Sequence, residues 1–139
     1  MGNLKTSIRE GKTNMTILEL LIPNNRIVIN KNLARTIGLH EATIYGELVS
    51  RHHYFEERKA LDKDGYFYNT VDDMENGTTL TKYQQSKAIN KLMKLKLIDM
   101  TVKGCPPKRY FKINLDTDIL LDVIQKTTIE YRRHLDDDY

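Results

Sequence analysis

Residues 78–114 read TTLTKYQQSKAINKLMKLKLIDMTVKGCPPKRYFKIN, and their pattern decides the fold. Thr81 has the short side-chain oxygen that an N-cap needs, and no breaker follows until about Leu95. On a helical wheel Gln85, Ala88, Ile89, Leu92 and Leu95 gather on one side, the side that must pack. Opposite them stand Tyr83, Lys87, Asn90 and Lys94, flanked by Ser86 and Lys91, with Lys82 in the first turn. Leu97–Lys103 and Arg109–Asn114 then alternate as two strands, and Gly104-Cys105-Pro106-Pro107 supplies the turn between them. A polar-faced helix followed directly by a hairpin is the result.

Working upstream, Val71 to about Glu75 can form a short helix ended by Asn76-Gly77, and Tyr66–Thr70 a short aromatic strand. Asp62-Lys63-Asp64-Gly65 is turn chemistry. A helix from about His40 to Glu57 places Ile44, Tyr45, Leu48, Val49, His52 and Phe55 on its core side. Asn30 caps a shorter helix, Lys31–Ile37, which Gly38 ends. Met15–Ile22 and Arg26–Ile29 read as strand-like with Asn24-Asn25 at the bend, although the first could be one or two helical turns. Downstream, Asp116 opens a helix with Ile119, Leu120, Val123 and Ile124 on one face. The order is that of an α+β, mainly helical winged helix-turn-helix domain, with a C-terminal β-hairpin wing, an extended N-terminal segment and an extra C-terminal helix. We expect a mobile tail over 1–14, one domain over 15–127 and a charged tail over 128–139.

The net charge of +3 hides a strong asymmetry. Residues 78–114 hold 9 basic side chains and 1 acidic, so the middle of the chain carries +8 while its flanks together carry −5. Segregation of this kind points to a polyanionic partner. A helix that offers Lys, Asn, Ser and Tyr outward suits the major groove of double-stranded DNA. Asn can bond adenine in bidentate fashion, Lys can reach guanine acceptors or phosphates, and Ser can bond either. The N-terminal half of such a helix meets the bases, which assigns Tyr83, Ser86, Lys87 and Asn90 to base edges and Lys91 and Lys94 to phosphates. Lys103, Lys108 and Arg109 surround the hairpin turn and add a second basic element. An ordinary solvated lysine face is the plain alternative.

Residues 67–114 resemble the winged-helix domain of phage and plasmid replication initiators and replisome organisers, in the broad sphere of DnaD-like N-terminal domains. The matching features are the aromatic strand, Leu80-Thr81 opening the helix, Gln85, Ile89 and Leu92 in core positions, Leu97-Ile98 starting the wing, and Pro107 with Arg109-Tyr110-Phe111 completing it. Residues 21–49 are similar to the segment that precedes the long helix in the same proteins. The resemblance implies duplex DNA binding in replication initiation, with replisome proteins as further partners. Many relatives carry Gly where Lys96 stands, so Lys96 is expected to take a left-handed backbone. Larger initiators carry a second domain after the wing, where about 25 residues remain here.

Other chemistry finds less support. No apolar run reaches the ~20 residues of a membrane span, and the first 14 residues lack a signal peptide's apolar core, so a cytoplasmic location is expected. The lone Cys105 excludes a disulfide framework and, beside basic neighbours, could sense redox state. His52-His53 point about 100° apart on a helix and have no ligand set at metal spacing. A phosphate-cradling GxxxxGK[ST] loop is absent, and no catalytic constellation is visible. No cofactor, metal, membrane or small-molecule substrate is expected, and the chain does not read as an enzyme. Tyr66, Tyr68 and Tyr110 could stack single-stranded bases, but their strand patterns assign them to the core. Two alternatives remain. One is a dimeric transcriptional regulator whose interface uses residues 15–22 and 116–127, either of which could instead cap the monomer's own core. The other is a protein-interaction adaptor whose basic face meets an acidic partner.

Overall fold

The computed structural model describes residues 15–21, 26–125 and 133. Its elements are α1 (Ile17–Leu21), α2 (Lys31–Ile37), α3 (Leu39–Glu57), β1 (Phe67–Tyr68), α4 (Val71–Thr78), α5 (Lys82–Lys94), β2 (Ile98–Lys103) and β3 (Lys108–Ile113), followed by helical residues 117–125. The three strands form one antiparallel sheet in the order β1-β3-β2. Its inner face carries Phe67, Phe111, Ile98 and Ile113, which pack with Leu33, Ile37, Ile44, Leu48, Met74, Ile89, Leu92 and Leu97 into one core. This is the expected α+β winged-helix arrangement.

Local chemistry explains each boundary. Asn30 accepts from the Leu33 N–H at 2.9 Å and starts α2. Gly38 ends α2 and starts α3 at φ 111°, ψ 157°, a conformation open essentially to glycine alone. Thr70 with Asp73, and Thr81 with Gln84, form reciprocal capping boxes at the starts of α4 and α5. The Arg51 guanidinium lies 3.2 Å from the Asp73 carboxylate and ties α3 to α4. Past α5, the Lys96 N–H donates to Met93 and the Leu97 N–H to Leu92, at 3.0 and 3.1 Å. Lys96 takes φ 63° as the left-handed residue of this C-cap, as expected.

One open alternative is decided and three local expectations are corrected. Residues 17–21 are helical because Thr16 and Glu19 bond reciprocally, each at 3.2 Å, in the T-x-x-E pattern of a capping box. Residues 26–30 lie outside the sheet, so no N-terminal strand pair forms among the described residues; Asn24-Asn25 fall outside them. The helix α4 continues through Asn76-Gly77 to Thr78, whose buried hydroxyl donates to the Met74 carbonyl at 2.6 Å, and Thr79 supplies the left-handed cap. Val49 lies at the edge of the buried arc of α3 and is 40% exposed. Tyr66, Tyr68 and Tyr110, expected in the core, lie on the opposite face of the sheet.

Candidate nucleic-acid interface

The helix α5 is fixed from within. Its Ala88, Ile89 and Leu92 are buried against α3 and the sheet, as is Gln85. The Gln85 amide nitrogen donates to the Val71 and Leu80 carbonyls at 3.1 and 2.9 Å, binding α5 to both ends of α4 and its turn. Every polar group of that buried carboxamide is then engaged, because its oxygen accepts from Arg109 Nη2 at 2.9 Å. The orientation of α5 is therefore specified by hydrogen bonds as well as by packing.

With the inner face committed, the outer face is free. Lys82, Tyr83, Ser86, Lys87, Asn90, Lys91 and Lys94 are all exposed, Tyr83 to 74%. The helix contains no Asp or Glu. Among the described residues no carboxylate lies within ion-pair distance of Lys82, Lys87, Lys91, Lys94 or Lys108. The four ammonium groups on α5 repel one another and gain when an external polyanion meets them.

The three wing residues differ from one another. Lys108 is exposed at the turn, its ammonium 5.1 Å from the Tyr68 ring centre. Lys103 reaches Asp62 at 3.3 Å and lies 5.1 Å from the centres of both Tyr66 and Tyr110. Arg109 turns inward: its guanidinium bonds the Asn69 carbonyl at 3.2 Å and Gln85, and burial pushes its pKa below the ordinary arginine value. The structure thus leaves Lys108 exposed over Tyr68 on the outer face of the sheet and makes Arg109 the anchor of the wing's base. Alternation alone could have placed Arg109 on the inner face, since it shares parity with Phe111 and Ile113.

Sequence reasoning also misplaces the sheet tyrosines. Tyr68 pairs with Tyr110, and Tyr110 with Thr101, on the face of the sheet away from the core. Tyr68 is 37% exposed, and Tyr66 and Tyr110 are half-buried. Phe67 and Phe111, of opposite parity, take the core positions. The Asp62 carboxylate organises the loop that leads into this strand. It accepts from the Tyr66 and Asp64 N–H groups at 2.9 and 2.8 Å, and these bonds, the Tyr66 one foremost, hold its pKa below the usual carboxylate range.

The remaining candidate groups stand apart from this surface. His52 and His53 each lie near a glutamate one turn on, Glu56 at 3.4 Å and Glu57 at 3.1 Å, and no group of potential metal ligands occurs among the described residues. Cys105 is exposed in the wing turn. No helix among the described residues is long and apolar enough to cross a membrane. Ile119, Leu120, Val123 and Ile124 pack half-buried against the chain's own core, while Met15, Ile17, Leu18, Leu20 and Leu21 are exposed.

No protein-family profile and no curated protein matches the sequence. Among solved structures, the N-terminal domain of a DNA binding protein is similar to this chain, with a TM-score of 0.51 and 15% sequence identity; the match covers 75% of this chain and 84% of that one. At that identity the likeness is one of fold, and it agrees with the element order derived above: the chain has an α+β winged-helix fold.

Proposed function

We propose that the chain is a non-enzymatic duplex DNA-binding protein that acts in replication initiation of a phage, plasmid or other mobile element. The observation that carries the binding is the acid-free outer face of α5, on which Lys82, Lys87, Lys91 and Lys94 stand unpaired beside Tyr83, Ser86 and Asn90. Lys108 extends that surface onto the wing. In this reading α5 enters the major groove, with Tyr83, Ser86, Lys87 and Asn90 at base edges and the other lysines on phosphates. The similar solved structure is named as part of a DNA binding protein, which supports the same direction. The replication role comes from the resemblance of residues 67–114 to phage and plasmid initiators.

Gel shift on random duplex tests the binding, and footprinting on the element that encodes the chain tests the role. Protection of repeats at a replication origin supports initiation; protection of a promoter operator supports regulation. A dimeric regulator is the second reading, favoured by the exposed apolar side chains of α1. Sizing the protein in solution with and without DNA tests it. The apolar face of residues 117–125 contributes to the core and offers such a dimer less surface.

A further inference from the structure

The outer face of the sheet carries aromatic rings that duplex recognition by α5 does not use. Tyr66 and Tyr68 on one edge and Tyr110 on the central strand present three rings on this face. Three lysines stand among them. Lys108 lies 5.1 Å from the Tyr68 ring centre, Lys103 5.1 Å from those of Tyr66 and Tyr110, and Lys112 5.8 Å from that of Tyr66. The aromatic row continues over the sheet edge onto α3. The Phe55 ring centre is 5.6 Å from Tyr68 and 5.5 Å from Tyr54, which is 51% exposed. Two arginines follow it, Arg51 at 5.1 Å from the Tyr68 ring and Arg58 at 3.6 Å from the Tyr54 ring. Between Tyr54 and Tyr68 lies an open depression of about 330 Å³.

We propose that this face binds a single strand of nucleic acid, its bases stacking on Tyr68 and Tyr110 and onward toward Tyr54, its phosphates meeting Lys112 and Arg58. Rings at least partly open to solvent and interleaved with cations are what an unpaired strand requires, because every base offers a π-face and every nucleotide a negative charge. A duplex hides its base faces and cannot use the rings. The cations argue for a polyanion over a proline-rich peptide, which would need the rings alone. The Tyr66 end is the weaker part of the track: the Tyr66 hydroxyl donates to Asp99 at 2.9 Å, and Asp62 takes Lys103. At the Tyr68–Tyr110 end no carboxylate stands at the paired positions of that face; Asp73 takes Arg51 at 3.2 Å, and Glu47 lines the depression beside Tyr54. Duplex on α5 and a strand on the sheet would together recognise a junction of double- and single-stranded DNA.

The test is fluorescence anisotropy of the full chain with labelled oligothymidine of about 12 nucleotides and, separately, with random duplex. We expect the wild type to bind the oligothymidine at micromolar protein. Tyr68→Ala with Tyr110→Ala should weaken that binding about tenfold or more and leave duplex affinity within about twofold. Phenylalanine at both positions should retain strand binding, since stacking needs the ring and not the hydroxyl. Lys87→Glu with Lys91→Glu should do the reverse, removing duplex binding and keeping the strand, so failure here is distinguishable from failure of the duplex reading. Should the double alanine variant lose its fold by circular dichroism, Lys112→Glu replaces it, with strand binding again expected to fall. The proposal is overturned if the wild type ignores the oligothymidine, or if a folded variant of the tyrosine face keeps full strand affinity. It is equally overturned if the α5 variant loses both ligands together, or if a proline-rich peptide binds the face and the oligothymidine does not.

Discussion

Arg109, at the base of the wing, donates through Nη2 to the carboxamide oxygen of Gln85 in α5 at 2.9 Å. The same arginine reaches the Asn69 carbonyl, and the same glutamine bonds the carbonyls of Val71 and Leu80. One buried pair thereby joins the turn before α5, α5 itself and the hairpin. The base of the hairpin and α5 are thereby held in a fixed relation rather than one set by the hairpin's own twist.

Gln85→Leu should keep the volume of this site while leaving Arg109 and two carbonyls without their partner. Arg109 would keep only the Asn69 carbonyl, and the Val71 and Leu80 carbonyls would each lose a donor, so a loss of about 1–3 kcal/mol is expected from urea unfolding. A loss below about 0.5 kcal/mol would show the network to be incidental.

Adjacent wing residues should separate stability from binding. Arg109→Ala is expected to cost about 1–3 kcal/mol of folding free energy. Lys108→Ala should leave stability within about 0.5 kcal/mol and reduce the salt slope of duplex binding by about 1. Paired denaturation and anisotropy titrations on the two variants check this contrast.

Much of this architecture was legible in the sequence, and the misses have physical causes. Periodicity exposed α5 because its inner residues are apolar apart from Gln85, while its outer stripe has no apolar side chain except the Tyr83 ring. The Asn30 and Thr81 caps were readable for the same reason: a short side-chain oxygen at the right place has one local use. The helical turn at Ile17–Leu21, one of two readings of Met15–Ile22, is written in Thr16-x-x-Glu19, while its β-branched and leucine-rich residues suit a strand as well. In the candidate interface, all seven α5 residues proved exposed, yet Arg109 turned inward. Its role depends on Gln85, 24 residues away, and no local pattern encodes such a partner. The tyrosines of β1 and β3 were misassigned because strand alternation reveals two faces without saying which is the core. Phe67 and Phe111 decide that, as the more apolar rings, and their register with Met100 fixes the rest.

Lys96 holds a left-handed backbone at φ 63° inside a complete C-cap, and is exposed. Lys96→Gly should stabilise the domain by about 1 kcal/mol, because glycine takes that conformation without a Cβ clash. Thermal or urea unfolding reads the gain. A destabilisation would mean that the glycine's unfolded-state entropy outweighs the relieved strain.

The acid limb of stability should depend on Asp62. Its folded pKa is depressed, chiefly by the Tyr66 N–H bond, so its contribution is full above the unfolded carboxylate value near ~4 and is lost as pH falls below it. Asp62→Asn should therefore flatten the fall in stability below pH ~4 and leave its slope at neutral pH unchanged. Urea midpoints across that range check the sign.

The outer face of α5 is the surface proposed to meet duplex DNA. The most direct test is the affinity for random duplex as a function of salt, in the wild type and in Lys87→Glu with Lys91→Glu. Five unpaired cations, Lys82, Lys87, Lys91, Lys94 and Lys108, predict that log K falls with log salt at a slope of roughly −4 to −5. The charge-reversed variant should keep its fold by circular dichroism and lose binding. Absence of wild-type binding at micromolar protein and low salt, or a folded variant that binds as well as the wild type, would contradict the account.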